Sequence, residues 1–172
     1  MKYAGIIKND VVNGQKVCVS FWCQGCPHHC FGCHNQHTWD FDGGIDAKED
    51  DLIAEIIEAL KANGVERNLS ILGGEPLCAE NIGFTLALIH SVRSEYPDVT
   101  IFVWTGYTFE ELNSTGVVDG ELFHKIDVLI DGRFEIDKKS YILPLRGSSN
   151  QRVIDVNKTI DSQKIVLYEI QE

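Results

Sequence analysis

The chain has 172 residues, of which 44% are apolar, which is enough for one domain with its own hydrophobic core. With 26 acidic residues against 15 basic ones, the net charge of -11 argues against nucleic acid as a partner and favours a protein or a small molecule. No stretch approaches the roughly 18 apolar residues of a membrane span, and the N-terminus lacks the apolar segment of a secretion signal. We therefore expect a single domain over residues 1–172, located in the cytoplasm and independent of membranes.

Apolar periodicity predicts strands that alternate with helices along the chain. Val17, Val19 and Phe21 share one face of the first strand, and Pro97 ends the second helix because proline has no backbone N–H to donate. Thr108 and Glu111 form a capping box that begins a shorter helical stretch. The predicted strands are 16–22, 69–72, 99–104 and 127–131, the predicted helices are 48–63, 81–96 and short stretches after residues 108 and 120, and two further strand candidates, one of them expected at the sheet edge, are 152–156 and 165–169.

Strands joined by helical crossovers predict a parallel sheet, but four such units are only about half of the eight that close a TIM barrel. The sequence therefore predicts an α/β fold, an open partial (β/α) barrel with a mostly parallel sheet. Each predicted strand is followed by an unusual motif, and the carboxyl ends of parallel strands meet at one edge, where ligands bind in such folds. These motifs are the cysteine-rich loop, Gly73-Gly74-Glu75-Pro76, Thr105-Gly106-Tyr107 and Gly132-Arg133-Phe134.

Four of the six cysteines fall between residues 23 and 33, in a chain without a secretion signal, which indicates metal chemistry rather than disulfides. Cys26, Cys30 and Cys33 have the spacing C-x3-C-x2-C, which lets three thiolates face one cavity, and thiolates select zinc or iron–sulfur clusters. Three ligands leave one iron of a [4Fe-4S] cluster open, whereas a fourth ligand from Cys23 or a nearby histidine makes a structural zinc site. Cys23 shares the apolar face of the first strand, so we expect it to pack in the core. We expect the same of the two isolated cysteines elsewhere in the chain.

A C-x3-C-x2-C loop after a first strand, with a Gly-Gly-Glu-Pro turn after a second, resembles the radical S-adenosylmethionine (SAM) superfamily. The resemblance implies that the open iron of the cluster binds the amino and carboxylate groups of SAM. It also implies that the backbone of Gly73 and Gly74 approaches the methionyl ammonium, while Glu75 supplies opposite charge nearby. Taken alone, a Gly-Gly pair is usually just a tight turn.

Further short motifs resemble one family of this superfamily, the activating proteins of anaerobic ribonucleoside-triphosphate reductases, and they span nearly the whole chain. The family implies that an electron from the reduced cluster cleaves SAM, and that the resulting 5′-deoxyadenosyl radical abstracts hydrogen from a glycine near the reductase C-terminus. The implied partners are that reductase and a one-electron donor such as flavodoxin or ferredoxin. The motifs are Gln24-Gly25-Cys26, Cys33-His34-Asn35, Thr38-Trp39, Trp104-Thr105-Gly106-Tyr107, Asp131-Gly132-Arg133-Phe134 and Arg146-Gly147-Ser148-Ser149-Asn150-Gln151.

The resemblance also implies roles for single residues around the cluster. His34 departs from the family pattern, in which an aromatic residue near the adenine commonly follows the third cysteine, although imidazole can still stack. His28 and His29 are interpreted as solvated groups or as hydrogen-bonding neighbours of the cluster. The implied SAM contacts are Gly32, Cys33, His34, Gly73, Gly74, Glu75, Thr105 and Asp131, and the implied contacts to a ligand or partner are Arg133, Arg146 and Asn150.

Two other functions remain open from the sequence. One is a different radical SAM enzyme that acts on a small molecule, such as a short deazapurine synthase. The other is a non-enzymatic zinc or iron–sulfur module, with Cys23 as the fourth ligand. Metal and sulfide content separates the module from the enzyme, because only a cluster contains inorganic sulfide.

Overall fold

The computed structural model describes residues 1–121 and 123–170 and contains one seven-stranded sheet with helices packed against it. The strands are β1 (Lys2–Asp10), β2 (Cys18–Cys23), β3 (Ile45–Asp46), β4 (Asn68–Gly73), β5 (Ile101–Trp104), β6 (Val128–Asp131) and β7 (Arg152–Asp155). The helices are α1 (Glu49–Leu60), α2 (Ile82–Glu95), α3 (Phe109–Ser114) and α4 (Val156–Ser162). Short 3-10 turns occur at Gln36–Thr38, Ala62–Gly64, Phe123–Lys125 and Ile136–Lys138.

The strand order in the sheet is β3-β1-β2-β4-β5-β6-β7. The central strands β2, β4, β5 and β6 run parallel, whereas β1, β3 and β7 pair with their neighbours in antiparallel fashion. The sheet is open, with β3 and β7 at its edges. The predicted α/β class and the parallel centre are therefore confirmed. Within the described residues no helix is long and apolar enough to cross a membrane, the longest being α2 with 14 residues.

Both faces of the central strands are buried. Val19 and Phe21 of β2 lie on the face that packs against α1 and α2 in the main core. Phe102 and Ile130 lie on the opposite face, in a second and smaller core against which Leu145 packs. Covering both faces explains why β4, β5 and β6 are nearly continuous apolar runs instead of alternating ones.

The structure departs from the predicted elements at both ends of the chain. Strand β1 was not predicted, because Gly5 and its polar residues interrupt the apolar alternation and most of its residues are only partly buried. Helix α4 was missed as well, since it is a short polar segment stabilised by the Asp155 side chain, which accepts a hydrogen bond from the Lys158 N–H. The strand predicted at 165–169 is wrong, because Leu167 forms only an isolated bridge to Ile154.

Candidate functional site

The cysteine-rich loop leaves the carboxyl end of β2 and is pinned at its base. The Gly25 N–H donates to the Thr38 carbonyl at 2.8 Å. The Gln24 side-chain amide, 3% exposed, donates to the Asp40 carbonyl at 2.7 Å. A Cβ at Gly25, where φ is +93°, would lie 2.1 Å from Phe41, so only glycine fits at this point. The start of the loop is thus held in one conformation.

Backbone N–H groups are directed at the sulfurs of Cys26 and Cys30. Burial raises the pKa of the Cys26 thiol to about 11, while hydrogen bonds from the backbone of His28 and His29 act in the opposite direction. Burial likewise raises the pKa of Cys30, opposed by a hydrogen bond from the Phe134 backbone. Because iron ligands are thiolates, loading a cluster takes protons off these thiols.

Cys33 completes the set, since its Sγ accepts a hydrogen bond from the Asn35 N–H at 3.3 Å. Hydrogen bonds to cysteine sulfur help to set the reduction potential of an iron–sulfur cluster. Cys23, by contrast, is fully buried in the main core, as predicted. In the described part of the chain, no three His, Cys, Asp or Glu side chains converge tightly enough to chelate a single metal ion. The three partly buried thiols fit a cluster, in which each cysteine bonds a different iron.

The three cysteines line one cavity of about 490 Å³ where the loops after the parallel strands meet. This volume lies within the range of roughly 300–1,000 Å³ that is common for small-molecule sites. The predicted site residues that line the cavity are Cys26, Cys30, Cys33, His34, Gly73, Gly74, Glu75, Thr105 and Arg146. Those that are not part of its wall are Gly32, Asp131, Arg133 and Asn150.

The Gly73-Gly74 pair packs against the base of the cysteine loop. A Cβ at Gly73, where φ is +100°, would lie 2.9 Å from the Cys23 carbonyl oxygen, and one at Gly74 would lie 2.3 Å from that of Gly25. The Gly74 N–H donates to the Cys23 carbonyl at 2.9 Å, and the Glu75 N–H donates to the Gly25 carbonyl at 2.8 Å. Close contact between the two motifs therefore requires glycine at positions 73 and 74, whether or not these glycines also make room for a ligand.

Glu75 is 1% exposed, and both of its carboxylate oxygens are occupied. Oε1 accepts from the Leu77 N–H at 3.0 Å and from the Thr105 hydroxyl at 2.7 Å. Oε2 accepts from the Gly106 N–H at 2.6 Å and lies 2.8 Å from His28 Nε2. A carboxylate has about four acceptor positions, so these partners use all of them. The Glu75 carboxylate keeps no free acceptor position for an ammonium group.

The two adjacent histidines of the loop lie in opposite environments. The His28 side chain is 6% exposed and meets the Tyr107 ring edge-on, with 4.5 Å between ring centroids. The solvated interpretation is therefore wrong for His28, which hydrogen-bonds to Glu75 instead. His29 is exposed, and its ring lies 4.9 Å from that of Trp39. Side chains along a loop do not alternate regularly between buried and exposed positions, so the sequence alone could not predict which of the two histidines is buried.

Asp131 and Arg133 lie beside the cavity and are engaged with other parts of the chain. Asp131, 1% exposed, accepts from the Phe109 N–H at 2.8 Å and from Arg152 Nε at 3.0 Å. Arg133 pairs with Glu111 at 3.0 Å and is partly exposed. Both residues support the loops after β5 and β6, which border the cavity.

Gly32 and His34 occupy different positions around the third cysteine. His34 is part of the cavity wall, with its ring centroid 5.3 Å from that of Phe134. Gly32 has a φ of +74°, and a Cβ there would lie 2.8 Å from the Ile136 side chain. Glycine at position 32 thus allows the loop to pack against the segment after β6.

Three buried polar side-chain atoms have no hydrogen-bond partner within residues 1–121 and 123–170, namely Trp22 Nε1, Arg146 Nε and Asn150 Oδ1. Trp22 and Arg146 both line the cavity. Buried polar groups are paired in the great majority of cases, so these two unpaired donors beside the cavity are exceptions. Trp22 was not predicted as a site residue. Neighbouring residues of a strand face opposite sides of the sheet, so its position next to the core residue Phe21 on β2 could have indicated that it faces away from the main core.

Asn81 was also missed, and it joins the two main motifs. Its side-chain amide donates to the carbonyls of Gln24 and Glu75, at 3.0 Å in each case. Asn81 directly precedes α2, but its side chain does not cap the helix. From the sequence this position indicates only the start of a helix, so its role in joining the two motifs was not predicted.

Comparison with known proteins supports the same conclusion as the motifs. Residues 12–154 match the protein family described as a 4Fe-4S single cluster domain. The anaerobic ribonucleoside-triphosphate reductase-activating protein of Pasteurella multocida is 38% identical over 152 residues, which cover 88% of this chain and 95% of that protein. The chain belongs to the family of anaerobic ribonucleoside-triphosphate reductase-activating proteins. The activating protein of Escherichia coli K12 is 37% identical over 157 residues, covering 89% of this chain and 97% of its own length.

The family extends to a virus, since the activating protein of enterobacteria phage T4 is 33% identical over 153 residues, 89% of this chain and 93% of that protein. The matched region includes the cysteine loop, the Gly-Gly-Glu-Pro turn and the loops after β5 and β6. The resemblance to the activating proteins that was drawn from short motifs is therefore confirmed.

Proposed function

We propose that this chain activates an anaerobic ribonucleoside-triphosphate reductase by cleaving SAM at a [4Fe-4S] cluster held by Cys26, Cys30 and Cys33. The observation that carries the proposal is the cavity of about 490 Å³ on whose wall the three thiols and the Gly73-Gly74 turn meet. The relatives' name, reductase-activating protein, supports the choice of partner. Held by these three cysteines, the cluster would supply one electron for the cleavage of SAM into methionine and a 5′-deoxyadenosyl radical, which would take hydrogen from a glycine of the reductase.

The residues of the cavity wall divide this work between them. Gly73 and Gly74 offer backbone carbonyls to the methionyl ammonium, because the Glu75 carboxylate is used within the chain. His34 offers its ring to the adenine. Arg146, which also lines the cavity, contacts the ligand or the reductase segment.

Three further predicted contacts have supporting roles in this proposal. The Thr105 hydroxyl holds Glu75, and Asp131 holds the start of α3, so both shape the cavity without touching SAM. Arg133 is partly exposed beside the cavity and is available to the reductase. Asn150 orients this segment by donating to the Arg133 carbonyl at 2.8 Å.

The open sheet supports a partial barrel of the radical SAM type. Its four parallel strands β2, β4, β5 and β6 carry the loops that surround the cavity. Because the sheet does not close, one side of the cavity remains accessible to a segment of the reductase. A one-electron donor such as flavodoxin or ferredoxin completes the reaction by reducing the cluster.

The first experiment measures metal, sulfide and SAM cleavage in anoxically purified protein. We expect about four irons and four sulfides per chain, and release of 5′-deoxyadenosine when a reductant and SAM are added. Cys30→Ala abolishes this release, whereas the matched control Cys23→Ala retains iron, because Cys23 lies in the core. One equivalent of zinc without sulfide, or equal iron loss in both variants, overturns the proposal.

The second experiment identifies the substrate. The reduced protein is incubated with SAM and an anaerobic ribonucleoside-triphosphate reductase, and the electron-spin signal of a glycyl radical is recorded. We expect the signal only when the chain, SAM and reductant are all present. Release of 5′-deoxyadenosine without any signal in the reductase contradicts the choice of partner and points to a radical enzyme that acts on a small molecule.

A further inference from the structure

His28 bridges the cysteine loop and the Gly-Gly-Glu-Pro turn. It lies midway between Cys26 and Cys30 in the chain, and its Nε2 is 2.8 Å from Glu75 Oε2. A carboxylate only accepts hydrogen bonds, so Nε2 carries the proton. The two side chains are 6% and 1% exposed, and water therefore does not compete for this hydrogen bond. Two of the three cysteines thus lie in the chain on either side of a histidine that makes a buried hydrogen bond.

Glu75 is held from several sides and offers the loop a fixed acceptor. Its other carboxylate partners are the N–H groups of Leu77 and Gly106 and the Thr105 hydroxyl, at 2.6 to 3.0 Å. Its carbonyl accepts from Asn81 Nδ2 at 3.0 Å. Partners locked in this way orient the groups that bind them, as the neighbours of metal ligands do.

The ring of His28 fits because position 106 has no side chain. A Cβ at Gly106 would lie 2.3 Å from His28 Cδ2 and 2.6 Å from its Nε2. Tyr107 closes the same space, with its ring edge-on to the imidazole at 4.5 Å between centroids. The Thr105-Gly106-Tyr107 motif therefore forms the socket of His28, with Thr105 supporting the acceptor, Gly106 leaving room and Tyr107 packing on the ring.

We infer that His28 is a positioning residue for the cluster: by donating to Glu75, it holds the segment between Cys26 and Cys30 in its ligating arrangement and in register with the Gly73-Gly74 turn. The inference rests on the proposed function only in assuming a cluster on these cysteines, and it is independent of SAM cleavage and of the reductase. His29 is exposed and takes no part in this contact, so it provides a matched control.

The test compares His28→Leu, His28→Gln and His29→Leu in the anoxically reconstituted full chain. Leucine fills the socket without a donor, whereas the amide nitrogen of glutamine stands about as far from Cβ as imidazole Nε2 and can donate to Glu75. The readouts are the rate at which a chelator removes iron and the electron-spin spectrum of the reduced cluster. We expect iron loss about 10- to 100-fold faster and an altered spectrum in His28→Leu, with values near wild type in the other two variants.

Gly106→Ala approaches the same contact from the other side. The added methyl group displaces the imidazole, so iron loss is expected to accelerate as in His28→Leu. Adding Gly106→Ala to His28→Ala should cause no further acceleration, because the ring that the methyl group displaces is already gone. Fully additive effects of the two changes contradict a shared mechanism.

The outcomes separate this inference from the proposed function. Iron loss in His28→Leu at the wild-type rate overturns the inference, and so does loss in His28→Gln as fast as in His28→Leu. Wild-type protein that holds about four irons but releases no 5′-deoxyadenosine overturns the proposed function and leaves the role of His28 in place.

Discussion

Glu75 accepts hydrogen bonds from two backbone N–H groups, that of Leu77 on one oxygen and that of Gly106 on the other. Neither donor can become an acceptor, so the amide of Glu75→Gln meets an N–H in either orientation. We expect the free energy of unfolding to fall by about 1–3 kcal/mol, the cost of a buried donor left unpaired. Anoxic urea unfolding measures it, with the exposed Glu66→Gln as control. Equal stability of the two variants contradicts the prediction.

Asp10, 5% exposed at the end of β1, organises the following turn and gives stability a defined pH dependence. Burial alone would raise its pKa, but hydrogen bonds from Ser20, Asn13 and Val12 together lower the pKa by more than burial raises it. The pKa therefore lies below its ordinary value. The stabilisation by this carboxylate is complete above the unfolded pKa of about 3.9 and is lost as the pH falls through the lower folded pKa.

Asp10→Asn tests this contribution directly. At pH 7 we expect it to lower the free energy of unfolding by about 1–3 kcal/mol, because the buried donors around Asp10 lose their charged acceptor. The difference from wild type should begin to shrink below about pH 4, where Asp10 of the unfolded wild-type chain takes up a proton, and should be smallest below the lower folded pKa. Denaturant midpoints between neutral and acidic pH measure the trend, and the surface variant Asp42→Asn serves as control. A difference that is constant with pH excludes ionisation as the cause.

The position of Cys26, Cys30 and Cys33 on one cavity was predictable at the residue scale, because their spacing is local in the chain. The role of His28 was not, since its partner Glu75 is 47 residues away. Asn81 likewise acts on the Gln24 carbonyl, 57 residues earlier in the chain. Asp131 was placed correctly at a strand end, but its carboxylate turns to α3 and Arg152, a choice that only the packing of those elements decides.

At the scale of elements, Arg152 of β7 joins β6 to the start of α3. Its guanidinium binds Asp131, which is 1% exposed, and Glu110, whose side chain is 60% exposed. These two carboxylates raise the pKa of Arg152, and Arg152 in turn lowers the pKa of Glu110. The buried pair and the exposed pair on one guanidinium differ in energetic weight, because water screens only the exposed one.

Arg152→Met removes the cation from the buried Asp131 and is expected to lower the free energy of unfolding by about 3–5 kcal/mol. Glu110→Gln disturbs only the exposed pair and should cost less than about 1 kcal/mol. The double variant Arg152→Met/Asp131→Asn should recover part of the loss, since Asn can still accept from the Phe109 N–H without an unpaired charge. Thermal or urea unfolding of the three proteins gives the comparison, and equal losses in both single variants refute it.

Long amphipathic helices were the elements best predicted, since 48–63 and 81–96 became α1 and α2 with only small changes at the ends. Short elements were not. Strand β1 forms through pairing with β2 on one side and β3 on the other, which no local pattern encodes. Residues 165–169 resemble a strand in composition but lie after α4 and make one bridge, so tertiary packing overrode their propensity.

For the whole molecule, the distribution of exposed apolar side chains is the feature that bears on the partner. Phe31, Tyr141 and Ile142 are each more than 80% exposed. Tyr141 lines the cavity and is followed by Ile142 in the chain, and Phe31 lies between Cys30 and Cys33, which line the cavity too. Apolar side chains grouped around the opening of a cavity mark a protein contact better than single ones scattered elsewhere do. With a reductase as partner, we expect its glycine segment to be held at this rim.

Ile142→Ser tests the rim without altering the cavity, because Ile142 is 90% exposed and is not part of the cavity wall. We expect the KM for the reductase in glycyl-radical formation to rise roughly tenfold, equivalent to about 1.4 kcal/mol of lost apolar contact. SAM cleavage without reductase should stay at the wild-type rate. Ile45→Ser is the matched control, since Ile45 is 53% exposed in the edge strand β3 and does not line the cavity. An unchanged KM in Ile142→Ser, or an equal rise in Ile45→Ser, places the reductase on another surface.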